Sequence, residues 1–195
     1  MTEADGNYIY RRKKEKMTKK QLEEKRYNRY NVKVNHFTKT AIGKPEQWLI
    51  EAAAEIGLNF AELNHEITNE FVVHSIKQHG DNETERARGQ LPIASADIEL
   101  IPGIVKNPDC VIIGIKKYGQ TFNAYLKRGA GGAVIYYEEV LDSKKNKSLR
   151  SKTIYKKRGT VSDETFLKIV SNNANTDISG TKTVVGAGGN PGGEA

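Results

Sequence analysis

Apolar positions recur at helical spacing in the first half of this chain and at strand spacing in the second. The change falls at Asn107-Pro108-Asp109, a turn signal. Pro45 suits the first turn of a helix, and Pro45–Gly57 reads as a short helix stopped by Gly57. Asn59 can cap a second helix, on which Phe60, Leu63, Ile67 and Phe71 form one stripe. At about 100° per residue, His74 falls within about 40° of the Phe60 direction and His79 about 100° away. Gly80 suits the stop, and His79 in the last turn favours the helix dipole. Ser95-Ala96-Asp97 resembles another helix start, with Ile98, Ile101 and Val105 as its apolar face and Pro102 bending or ending it.

Beyond the turn the period shortens. The β-rich runs Cys110–Lys117, Thr121–Arg128, Ala133–Val140 and Leu149–Lys157 are joined by short connections, which suggests an antiparallel meander. Helices first and strands after predict an α+β domain, its N-terminal helices packed on one face of a four-stranded antiparallel sheet. Ser162–Val170 reads as a short capped helix. The chain then divides into a basic, flexible arm or linker over 1–44, the α+β domain over 45–171, and a flexible tail over 172–195. The tail glycines are not a phosphate loop, because no strand and helix bracket them and no Gly-Lys-Ser/Thr follows.

Charge sharpens this division. The whole chain carries 31 Lys+Arg against 24 Asp+Glu, a basic balance that points to nucleic acid or an anionic surface as partner. Residues 48–110 hold 4 basic and 11 acidic side chains, whereas 111–158 hold 12 and 3. The tyrosines Tyr8, Tyr10, Tyr27 and Tyr30, interleaved with the arm's basic residues, could stack on bases, or the arm is a solvated linker. The one cysteine, Cys110, reads as a small core hydrophobe and has no partner for a disulfide. No apolar run approaches the length of a membrane span, and the charged amino terminus is not a signal peptide. A cytoplasmic protein in a reducing compartment is expected, with no metal and no cofactor.

Candidate chemistry gathers at His74–Gln90. Histidine is the side chain best placed to exchange protons near neutral pH, and RNA is cleaved through its own 2′-hydroxyl when a base and an acid are supplied. His74 and His79 are candidates for that pair, although His74 also fits a core histidine and His79 a helix end. Five residues apart they diverge by about 140° on a helix, unlike a zinc pair at i, i+4. His36 and His65 lack supporting context and read as surface residues. Arg86 and Arg88 sit on a glycine-containing loop where a guanidinium can fork onto phosphate, and Glu83 or Glu85 can pair with them. On the strands, Tyr125 and Lys127 share one face, while Ser151, Thr153 and Tyr155 share another, which lines a cleft or faces solvent.

The order of these features resembles a family. His74-x4-His79-Gly80, then Glu85–Gln90, Ile93-x3-Asp97-Ile98-x2-Ile101-Pro102, Asn107-Pro108-Asp109 and a run of strands is similar to phage-type nucleases of the barnase–EndoU–colicin E5/D–RelE superfamily, over roughly residues 45–170. Such domains occur at the carboxyl ends of phage head-morphogenesis and polyvalent proteins and in polymorphic toxins. The resemblance implies helices on a four-stranded sheet, metal-independent RNA cleavage in the cleft between them, delivery into a target cell and an immunity or antitoxin partner. It further implies His74 and His79 as catalytic residues, with Lys127, Thr153 and Tyr155 beside them. Lys116, Arg128 and Lys152 then join Arg86 and Arg88 in binding RNA, tRNA or rRNA being the first substrates to consider. A non-catalytic nucleic-acid-binding module and a structural phage protein are the competing expectations.

Overall fold

In the computed structural model, residues 37–173 and 175–186 are described. His36, most of the basic arm and the end of the glycine tail lie outside the described residues. The described chain is an α+β fold built on one mixed, nine-stranded sheet. It begins with strand β1 (Lys39–Gly43), helix α1 (Gln47–Ala54) and strand β2 (His65–Thr68). Helices α2 (Asn69–His79) and α3 (Asn82–Ala87), the short strand β3 (Gln90–Leu91), and helices α4 (Ser95–Glu99) and α5 (Ile101–Lys106) follow. Four longer strands come next: β4 (Cys110–Lys117), β5 (Gln120–Gly129), β6 (Gly132–Asp142) and β7 (Lys147–Lys157). Helix α6 (Asp163–Ser171) and two short strands, β8 (Thr176–Asp177) and β9 (Lys182–Val185), complete it.

The four strands expected from the sequence form the antiparallel centre of the sheet, in the order β7-β6-β5-β4. The expectation that they are the whole sheet is corrected at both edges. β2 adds to β7 in parallel, with β1 beyond it, and β3 pairs with the other end of β7. β8 and β9 pair with β4, so part of the expected tail is sheet. The reason lies in the exposed edges: β4 and β7 would each carry a row of unpaired backbone groups that added strands satisfy.

The helix expected from Asn59 onward is also corrected. Phe60 and Leu63 are buried as foreseen, but residues 65–68 are strand. The amide of Leu149 donates to the Asn64 carbonyl at 2.8 Å, and β2 runs on from there beside β7. The helix starts only after Thr68, whose hydroxyl accepts from the Phe71 amide at 3.1 Å. Ser162 caps α6 in the same way, accepting from the Thr165 amide, as the sequence predicts.

Both faces of the sheet are covered, not one. Val111, Ile113, Tyr125, Tyr136 and Ile154 pack under the helices that precede the strands. Ile112, Ala124, Leu126 and Ile135 pack under Phe166 and Val170 of α6. Two bulges break the alternation between these faces. Gly114, at φ +85°, shifts the β4–β5 register between Ile113 and Ile115. On β7, Lys152 is the extra residue, since Tyr137 faces Thr153 while Glu138 faces Ser151.

Gly132 closes the β5–β6 turn at φ +121°, where an added Cβ would meet the Lys157 carbonyl oxygen at 2.3 Å. That contact is with backbone, so it cannot relax by a rotamer change. Gly132→Ala is expected to lose about 1–3 kcal/mol, read as a lower urea midpoint at unchanged slope. An unchanged midpoint would show that the turn yields freely.

Candidate active site

A cavity of about 540 Å³ opens on the α6 side of the sheet. Its wall is built from the ends of several elements: Ile115 and Lys117 of β4, Phe122 of β5, Tyr137 of β6, Lys152, Thr153, Tyr155 and Lys157 of β7, and Ile169 and Val170 of α6. His79 and Gln90 reach it from the end of α2 and from β3. Among the described residues, three lysines and a histidine line it and no carboxylate does. Such a lining favours an anionic ligand.

The bulges explain which residues arrive. Without the Gly114 bulge, the face that carries Cys110 and Ile112 would continue to Lys116; with it, Ile115 and Lys117 take that face. Likewise Ser151 turns under the helices, where its hydroxyl meets Tyr136, while Lys152 and Thr153 line the cavity. Tyr137 and Tyr155 stack with ring centroids 6.3 Å apart, and His79 lies 6.2 Å from Tyr155. Burial pushes both phenols above their ordinary range, so they stay neutral. Gln90 Oε1 and Thr176 Oγ1 are buried here without a hydrogen-bond partner among the described residues.

His79 is oriented from behind. Its Nδ1 lies 3.3 Å from Oε2 of Glu85, whose side chain is 0% exposed while the histidine's is 16%. Arg88 donates to the other Glu85 oxygen at 2.7 Å and also to the Gln78 carbonyl. With Nδ1 held by a carboxylate, Nε2 is the nitrogen left for the cavity. Helix phase accounts for the placement, since Phe71, Ser75 and His79 follow at four-residue steps along one face of α2. His74 is exposed on a different face. Partial burial, with the charges of His79 and Lys152, lowers its pKa from the ordinary value.

Residues 43–164 match the family model described as phage-Barnase-EndoU-ColicinE5/D-RelE like nuclease3. The chain belongs to this nuclease family. No curated protein and no solved structure matches it. The match contains most of the cavity wall and all of the His79–Glu85–Arg88 chain. It stops before Ile169, Val170, Asn173 and Thr176, which close the cavity from α6 and beyond.

Within this nuclease domain the expected residues separate into two groups. His79, Lys152, Thr153 and Tyr155 come together at the cavity, whereas His74 is exposed on another face of α2 and is not among its lining residues. The others do not line it. Lys127 donates to the Asn107 carbonyl and Asp109 on the opposite face. Arg128 is tied to the Val161 carbonyl and Asp163 at the start of α6. Lys116 donates to Thr121, and Arg86 is exposed on α3. Arg86 is on a helix and not on the expected loop, because Asp81 caps that helix by accepting from the Thr84 amide at 2.9 Å, and Arg88 is the residue that ends it.

Sequence reasoning missed Glu85 as the histidine's partner, and Lys117, Lys157 and Tyr137 as wall residues. The Glu85–Arg88 pairing was legible from their three-residue spacing. His65, expected at the surface, is 1% exposed. Among the described residues no three His, Cys, Asp or Glu converge as metal ligands, and no helix is long and apolar enough to cross a membrane.

Proposed function

We propose that this nuclease cleaves RNA by transesterification at the mouth of the 540 Å³ cavity, with His79 at its wall and His74, exposed on α2 outside the lining, as the proton-transfer pair. The observation that carries the reading is His79, held by a buried carboxylate at the wall of a lysine-lined cavity with no carboxylate among its described lining residues. His74 is assigned as base, because its surroundings favour the neutral form that accepts a proton. It takes the proton of the ribose 2′-hydroxyl, whose oxygen attacks phosphorus. The bond from phosphorus to the 5′-oxygen breaks, and His79 protonates that oxygen from Nε2. The products are a 2′,3′-cyclic phosphate and a 5′-hydroxyl end. Lys117, Lys152 and Lys157 steady the charge of the phosphorane, and the Tyr137–Tyr155 stack offers a face to an unpaired base. Thr153 orients the phosphate by its hydroxyl.

The direct test incubates the full chain with total tRNA and rRNA, with and without EDTA, and maps the ends. Cleavage in EDTA that leaves cyclic phosphates is expected. Salt-sensitive binding without cleavage would instead make the cavity a binding site only. Any toxin or phage-effector role, and an immunity protein that covers the cavity, follow only if cleavage is found.

The assignment fixes the pH profile. The base must be neutral, so kcat/KM rises with pH through the His74 pKa. That limb should lie below the ordinary histidine value of about 6.5, in line with the lowered pKa. His74→Ala removes the limb; a limb that survives in that variant assigns it to another group. Glu85→Gln keeps a polar neighbour but removes the carboxylate that orients the His79 ring and balances its charge. It should lower kcat at least about tenfold while KM holds.

A further inference from the structure

A second cavity, of about 380 Å³, shares no lining residue with the first. It lies among the β1–α1 connection, the start of α1, β2 and α5. His65 lines it and is 1% exposed. The imidazole Nδ1 stands 2.9 and 3.0 Å from the two oxygens of Glu138. Tyr125 and Tyr136 both donate to that carboxylate, so it is an acceptor and Nδ1 is the donor. Nε2 is then left, buried and without a partner among the described residues, in a ring that lines the cavity. A buried polar nitrogen in that condition calls for a ligand.

The rest of the lining says which kind. α1 begins here, and its N-cap residue, Glu46, gives no side-chain cap, nor is there an acid in the first turn. The Leu49 and Ile50 amides donate to the Glu46 carbonyl, so the Gln47 and Trp48 amides, which lack a side-chain cap, are the ones that can bind an anion. Lys44 and Lys106 add positive charge. Among the described residues Glu46 is the one carboxylate of the lining, 4.0 Å from Lys106 in an exposed pair. We propose that this cavity binds a small phosphate-bearing ligand, the phosphate held by His65 Nε2, the start of α1, Lys44 and Lys106. A phosphate keeps a hydroxyl hydrogen for Nε2 and has further oxygens for the donors around it, whereas an ionised carboxylate is an acceptor only and has no hydrogen to give. Nε2, the acceptor of the ring, takes the hydrogen of a phosphate P–OH, while the start of α1, Lys44 and Lys106 face the remaining oxygens. The inference is independent of the nuclease chemistry at the other cavity.

The experiment is an NMR titration of the histidine ring resonances of the full chain with inorganic phosphate. His65 is assigned by elimination with His36→Asn, His74→Ala and His79→Ala. A saturable shift of the His65 ring is expected, weakened at least tenfold in Lys44→Ala/Lys106→Ala. Those two side chains are exposed, so the double variant folds even if a His65 variant does not. Acetate should shift the ring less at equal concentration. The proposal is overturned if phosphate leaves His65 unmoved or moves only His74 and His79. It is equally overturned if the lysine variant binds as before, or if acetate binds as tightly as phosphate.

Discussion

RNA cleavage by the His79→Ala variant is expected to fall about 10²–10⁴-fold, the range that a positioned acid or base contributes. Folding should be little affected. The ring is at the end of α2 and partly solvent-accessible, and its removal leaves Glu85 still paired with Arg88 at 2.7 Å. Glu85 is therefore not stranded as a buried charge without a partner, the usual route to a large stability loss. Activity and stability separate cleanly here, so a melting curve run beside the cleavage assay decides whether a loss is chemical. His74→Ala should cost less than His79→Ala at high pH, where hydroxide and solvent replace a base more readily than an acid. The double variant should lose little more than His79→Ala alone, because the two act on one transition state. Lys127→Ala serves as a control: its ammonium is engaged with Asn107 and Asp109 and lines no part of the cavity. Cleavage by His79→Ala within about threefold of the parent would reduce His79 to a helix end and leave the cavity without its central group.

The cavity was half legible from sequence, and the other half shows why. Amphipathic period gave the four central strands and the cap of α6, because those depend on residues close together in the chain. The edge strands were hidden. Residues 65–68 continue a helical stripe in sequence, and only β7, far along the chain, makes them strand. The wall lysines turned on two single-residue bulges. Strict alternation selects Lys116, and the positive φ of Gly114 delivers Lys117 instead. Alternation also groups Ser151 with Thr153 and Tyr155, whereas the extra residue Lys152 sends Ser151 to the other face. A bulge shifts every later side chain by one, and no local pattern announces it. His79 survived these shifts because its position depends only on the phase of its own helix.

Glu138→Gln is expected to cost about 3–5 kcal/mol, the loss seen when one member of a buried charged network is replaced. The carboxylate is 0% exposed and accepts from Tyr125 at 2.8 Å, from Tyr136 at 3.1 Å and from His65. An amide has one acceptor oxygen in place of two, so its NH2 must face at least one of these donors. Against a total stability of about 5–15 kcal/mol, this is a large fraction. It corresponds to a fall in Tm of roughly 6–20 °C at about 2–4 °C per kcal/mol for a chain of this size. Tyr136→Phe is the graded comparison. It removes one hydroxyl, and Ser151 keeps its bond to the Glu66 carbonyl at 2.9 Å, so a loss near 1 kcal/mol is expected. The bulge at Lys152 joins this network to the active cavity, since Ser151 belongs to one and Lys152 and Thr153 to the other. Glu138 itself lines neither the cavity wall nor the His79–Glu85 chain. At temperatures where Glu138→Gln remains folded, kcat should therefore stay within about tenfold of the parent, while the urea midpoint falls sharply. A midpoint within 1 kcal/mol of the parent would mean that water reaches Glu138 and satisfies what the protein no longer does.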